Sequence, residues 1–225
     1  MTNKFEIEKK ILLMILLSFI VASVVEIGIH FLFLKSSGLM IKYALWFLYL
    51  NISLAFLIGS ISYFFSYKTK INCMTGMMIG MTIGMQTGMM IGAIVGATNG
   101  FFIGAMTGTI LGVGIGIIVG IKSKTTMGVL QGMMSGIMGG TMGPMISVMM
   151  FFDHLTFFMP LYIIINVAIL VVMSYMFYEE SVLNSKEDLK RNPIDITTVV
   201  FITVIITIIL ISIILFLPRS TFIIG

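Results

Sequence analysis

From Gly76 to Gly120 every fourth residue is a glycine: Gly76, Gly80, Gly84, Gly88, Gly92, Gly96, Gly100, Gly104, Gly108, Gly112, Gly116 and Gly120. In water such a series argues against a helix, because each interior glycine costs roughly 0.5–1 kcal/mol relative to alanine. The residues between these glycines are almost all apolar, however, and no charge appears before Lys122. In lipid, small residues four apart let helix backbones approach, and dispersion rather than apolar burial holds the helices together. The series therefore predicts helices packed backbone to backbone in a bilayer. A single helix of that length would measure about 66 Å, roughly twice the hydrocarbon thickness. The stretch Ala97-Thr98-Asn99-Gly100 is the polar, turn-forming break, so a tight hairpin is expected there. Gly128, Gly132, Gly136 and Gly140, with Gly139 and Gly143, extend the pattern to a third helix.

The rest of the 225-residue chain agrees with a membrane setting, since 59% of it is hydrophobic and only 10% charged. Crossing a bilayer takes about 20 helical residues. Seven spans of that order are expected, over residues 11–34, 39–66, 72–97, 101–121, 127–151, 156–178 and 196–217. The fold class expected is all-α: a polytopic bundle of about seven transmembrane helices, with glycine-zipper packing in the central three. Composition divides it into a two-helix segment over 1–70, a Met/Gly-rich three-helix core over 71–152, and a second two-helix segment over 153–225. The first span follows Lys4, Lys9 and Lys10 like a signal peptide. It is too long for a signal h-region and offers no good small-x-small cleavage site, so it is read as a retained helix.

Basic residues set the orientation. With the N-terminus inside, the inner segments hold Lys4, Lys9, Lys10, Lys68, Lys70, Lys122, Lys124, Lys186, Lys190 and Arg191, and the outer ones only Lys35, Lys42 and Arg219. That asymmetry predicts a multi-pass protein of the cell membrane with a cytoplasmic N-terminus. The formal charge of +4 is thus a topology signal and not a sign of nucleic-acid binding. Cys73, the single cysteine, cannot form an internal disulfide.

The central segment, residues 73–150, also holds 16 of the 22 methionines, whereas the last span has none. Cys73, Met77, Met81, Met85 and Met89 recur at intervals of four, forming a slowly winding ladder beside the glycine ridge. The fifth span repeats the theme with Met134, Met138, Met142, Met145 and Met149. Methionine fills irregular gaps beside glycine, which is one reading of the rows. The other is coordination, because thioethers and thiolates are soft ligands that select Cu(I) or Ag(I) over Mg, Ca or Mn. Neutral ligands cost little in a bilayer, and repeated weak sites are what ion passage requires. If the two rows share a helix contact, their sulfurs would surround a common axis.

"MTGMMIGM" and "MGPMISVMM" resemble the MxxxM and GxxxG features of the eukaryotic high-affinity copper importers. Those are three-span trimers whose methionine rings pass Cu(I) towards cytoplasmic cysteine and histidine. The resemblance covers about 73–150 and transfers only MxxxM positions such as Met77 and Met81; the chain departs from that family in having seven spans. It implies copper as Cu(I), and a copper donor or acceptor protein as partner.

The histidines, His30 and His154, are both expected towards the outer face. Glu26 is the acidic residue clearly inside a span, and an intramembrane carboxylate is a functional candidate by default. Glu26 and His30 may be read as a hydrogen-bonded pair, or with Asp153, His154, Met149 and Met150 as an outer collecting site for metal. Gln86, Asn99 and Gln131 are expected as interhelical glue or turn residues. No HExxH, GxSxG or Walker loop is present, so no enzymatic activity is expected. Two further functions stay open: a non-enzymatic scaffold or assembly subunit with lipid, a membrane-protein partner or a second copy of itself as neighbours, and a glycine-zipper channel.

Overall fold

The computed structural model describes residues 2–33, 39–66, 72–180 and 196–216. Seven α-helices occupy them: α1 (Thr2–Phe33), α2 (Leu39–Ser66), α3 (Cys73–Asn99), α4 (Phe101–Lys122), α5 (Thr126–Met149), α6 (Leu155–Tyr178) and α7 (Ile196–Phe216). A short 3-10 turn, Met150–Phe152, joins α5 to α6. Among the described residues there is no strand. Among the described residues five helices hold stretches long and apolar enough to cross a membrane: Leu45–Ser66, Cys73–Asn99, Phe101–Lys122, Leu155–Tyr178 and Thr197–Leu215. The molecule is an all-α membrane helix bundle. The described apolar part of α1, Leu12–Gly28, is shorter than a full span, and α5 is not among the five. Helix α5 is long enough and bears no charge; its glycines, Ser, Thr and Gln lower its hydropathy.

The expected hairpin is present and uses a single residue. Helix α3 ends at Asn99, α4 begins at Phe101, and Gly100 between them has φ 94° and ψ 171°. A side chain at that positive φ would be strained, so glycine is required there. The turn is closed by Gly100 N–H donating to Gly96 O at 3.0 Å and Gly104 N–H donating to Gly100 O at 3.1 Å. At the other end, Lys124 reverses the chain from α4 into α5 with φ 56°. Thr125 caps α5 there, its hydroxyl accepting from Gly128 N–H at 3.2 Å.

These two reversals lay α3, α4 and α5 side by side, and glycine sets how close they come. A Cβ on Gly104 would stand 2.6 Å from Gly96 Cα, one on Gly88 2.5 Å from Gly140 N, and one on Gly108 2.9 Å from Gly88 O. Gly112 and Gly84 are as tight, with Gly136 O at 3.0 Å and Gly132 O at 2.8 Å respectively. Each obstacle is backbone, which cannot swing aside as a side chain would. Several hydroxyls of this core bond within their own helices, Thr87 donating to Ile83 O at 2.7 Å and Ser135 to Gly132 O at 3.1 Å, whereas Gln86 Oε1 is buried with no partner among the described residues.

Pro144 lies inside α5, where it lacks the N–H that a helix interior uses. Its ring fits against α3 where side chains are missing: a Cβ on Gly92 would meet Pro144 Cδ at 3.0 Å. Helix α3 is the centre of the bundle, with residues 90–100 buried throughout. The flanking helices pack by side chains instead. Phe64 and Phe177 meet edge to face at 5.3 Å between ring centroids, and Leu50, Leu54 and Leu57 of α2 are buried beside them in the same apolar core. Asn99 ties α3 to α7, its amide donating to Ile213 O at 3.4 Å and Ile214 O at 3.3 Å. The glue role expected of Asn99 is what it performs.

Candidate functional site

Three groups of residues stand out: the sulfur row on α3, the row on α5, and the polar residues of α1 and α2. On α3, Cys73 is a free, exposed thiol at the first helical position. Met77, Met85 and Met89 are half-buried and Met81 is exposed. On α5, Met134, Met138, Met142, Met145 and Met149 are all between 45% and 66% exposed.

The two rows therefore do not surround a common axis within one chain. Gly139 and Gly143 of α5 press against the backbones of Met85 and Met89. Across the α3–α5 contact, glycine faces the methionine row. The cause is phase. Successive helix residues turn by about 100°. Each α3 row methionine follows a ridge glycine by one residue, so it flanks the contact, and Met77, Met85 and Met89 are half-covered there while Met81 is exposed. On α5, Met134, Met138 and Met142 follow Gly132, Gly136 and Gly140 by two residues, which is about 200° and places them opposite the ridge. Equal spacing on both helices leaves this offset unnoticed unless each row is phased against its own glycines.

Among the described residues the outer collecting site is not assembled. Asp153 and His154 are exposed in the α5–α6 connection. His154, at φ 48°, caps α6 by its carbonyl, which accepts from Phe157 N–H at 2.9 Å and Phe158 N–H at 3.2 Å. The His30 side chain lies outside the described residues. Among the described residues no group of three or more His, Cys, Asp and Glu stands together. Met150 packs against the apolar core.

Glu26 has a partner outside the expected set, and its expected pairing with His30 lies outside the described residues. Asn51 Nδ2 of α2 donates to Glu26 Oε2 at 2.7 Å and reaches Ser23 Oγ at 3.5 Å. Asn51 was missed by the sequence reading, although an asparagine within "LYLNISLAF" is the signal: a buried amide in an apolar span needs a polar neighbour. At the end of the bundle near Lys122, Glu180 accepts from Asn72 Nδ2 at 2.9 Å and from the Thr75 hydroxyl. That carboxylate sits at the N-terminus of α3, where the helix dipole favours negative charge. Close by, Lys122 Nζ stands 5.4 Å from the centre of the Phe65 ring, a cation–π distance.

No family model, curated protein or solved structure matches the chain. Its chemistry is read from its own residues.

Proposed function

We propose that this chain is a non-enzymatic membrane assembly subunit whose glycine-packed core presents the outer face of α5 to another transmembrane helix. The observation that supports this is the mismatch of α5. It is too weakly apolar to rank with the spanning helices, yet its methionine face is turned away from the bundle. Lipid alone is a poor neighbour for such a helix, while methionine adapts readily to a protein surface. A second copy of the chain or a different membrane protein would supply the partner helix. Cysteines placed singly at 134, 138, 142 and 145 test the reading in native membranes. Disulfide or bifunctional cross-links recurring along this face, and absent from residues 110 and 118 of α4, are the expected result. A face that cross-links nowhere removes the proposal.

A second reading keeps the soft-ligand chemistry and rests on the same outward row. Two apposed α5 helices would bring thioethers of both chains together, a set suited to Cu(I) or Ag(I) and not to hard cations. In this reading the subunit binds copper and passes it along the apposed rows, with Cys73 at the inner end. The discriminating measurement is copper stoichiometry under reducing conditions. It should fall when Met134, Met138, Met142, Met145 and Met149 are replaced by Leu, and be less affected by Leu at Met77, Met81, Met85 and Met89. Copper content equal to wild type in both variants leaves the assembly reading alone. The inside position of the N-terminus and the cell-membrane location belong to the same proposal and rest on the lysine asymmetry.

A further inference from the structure

The polar pair of α1 and α2 lies outside the α3–α5 core and has features that neither assembly nor soft-metal binding uses. Asn51 stands 12 residues from Leu39 and 15 from Ser66, the two ends of α2. At 1.5 Å per residue this places it about 18 Å from one end and about 22 Å from the other, deep in the span. It is 3% exposed. Its amide nitrogen is used on Glu26 Oε2, but its carbonyl Oδ1 is buried without a partner among the described residues. Glu26 Oε1 is in the same condition. One hydrogen-bonded pair thus leaves two enclosed oxygens unfilled, next to a third oxygen, Ser23 Oγ, whose own proton is given to Phe19 O at 2.9 Å.

Buried acceptors without partners are destabilising, the more so where charge is involved. No lysine or arginine lies close in sequence: α1 has none between Lys10 and Lys35, and α2 none between Lys42 and Lys68, while His30, one turn after Glu26, has a side chain outside the described residues. Acceptor oxygens of this kind are satisfied by a hydrogen-bond donor or by a cation. Carboxylate, amide carbonyl and hydroxyl oxygens are hard ligands, which suit hard cations and not Cu(I). One carboxylate offsets one positive charge, and a divalent ion would leave a surplus charge in the hydrocarbon, where charge is most expensive.

We infer that Glu26 and Asn51, with Ser23 beside them, form an intramembrane binding site for a monovalent alkali cation of the sodium class. Glu26 supplies the charge, Asn51 Oδ1 and Ser23 Oγ complete the oxygen set, and the Asn51 amide holds the carboxylate in place. A site at this depth between two helices is where ion-coupled membrane proteins hold their ions.

The full chain in detergent or nanodiscs tests this by thermal unfolding at fixed pH, with sodium, potassium or lithium chloride exchanged against choline chloride at constant ionic strength. A ligand that binds only the folded state raises the melting temperature as its concentration increases. The expected result is a saturable rise with at least one alkali cation, lost in Glu26→Gln, which keeps the shape and the hydrogen bond from Asn51. Binding of radioactive sodium to the purified chain supplies the second readout. It should be weakened about tenfold or more in Asn51→Leu, a loss of about 1.4 kcal/mol, and unchanged in Met138→Leu. An equal response of wild type and Glu26→Gln, or the absence of any alkali response in wild type, overturns the site. Both outcomes are independent of α5 cross-linking and of copper content.

Discussion

The α3–α5 core and the helices that flank it face the same solvent and solve the same packing problem in opposite ways. In the core, backbone meets backbone: the neighbours of Gly88, Gly104 and Gly108 are main-chain atoms of the facing helix. Among α1, α2, α6 and α7, helices are held apart by Leu, Ile and Phe side chains, with Phe64, Phe177, Leu50 and Leu57 buried between them. Close approach gains many dispersion contacts over a long seam, which matters where lipid removes the hydrophobic drive. It also leaves no tolerance, because main chain cannot repack. Side-chain packing is looser in its demands, since a cavity or an altered rotamer can absorb a change.

The sharpest way to break this contrast is to enlarge a ridge glycine. Gly88→Leu or Gly108→Leu should cost upwards of about 4 kcal/mol, the range reserved for gross steric failure. Folded yield and thermal unfolding in detergent check this, and wild-type stability in both variants would remove the backbone-contact argument. A deletion on the flanking side should be milder. Leu57→Ala is expected to cost about 3 kcal/mol by the same melting assay, while the chain stays folded.

Smaller effects sharpen the comparison. Asn99→Leu removes the amide bonds to the α7 carbonyls, and should cost about 1 kcal/mol, a usual value for an interhelical hydrogen bond in lipid. Met134→Leu, Met138→Leu and Met142→Leu should each stay within about 0.5 kcal/mol of wild type in the isolated chain, because those side chains touch little of the bundle. The last effect has the opposite sign. A Cβ on Gly114 would meet nothing within 4 Å. Gly114→Ala should therefore stabilise by about 0.5 kcal/mol through helix propensity alone, so that two glycines six residues apart on α4 respond in opposite directions.

Much of this architecture was legible before any coordinates. The apolar runs placed α2, α3, α4, α6 and α7 within a few residues of their observed ends, because helix length and hydropathy are local properties. Likewise the need for a hairpin followed from length, since an uninterrupted glycine series could not fit one bilayer crossing, and the polar stretch Ala97-Thr98-Asn99-Gly100 placed it. The glycine period marked which stripe each core helix would turn inward. Pro144 was harder to place, because its tolerance inside α5 depends on the gap left by Gly92 and Gly96 on another helix.

The sequence by itself determined the class of protein, the reversal points and the identity of the close-packed stripes, for each of these depends on residues near one another in the chain. Only the tertiary structure decided what the functional candidates face. It turned the α5 methionines outward while half-covering Met77, Met85 and Met89 of α3, because glycine alone permits backbone contact and each row lies at its own angle to the glycines. It also joined Glu26 to Asn51, 25 residues apart, leaving two oxygens enclosed and without a partner among the described residues. No local pattern encodes that meeting: it exists only because α1 and α2 pack together at one depth in the span.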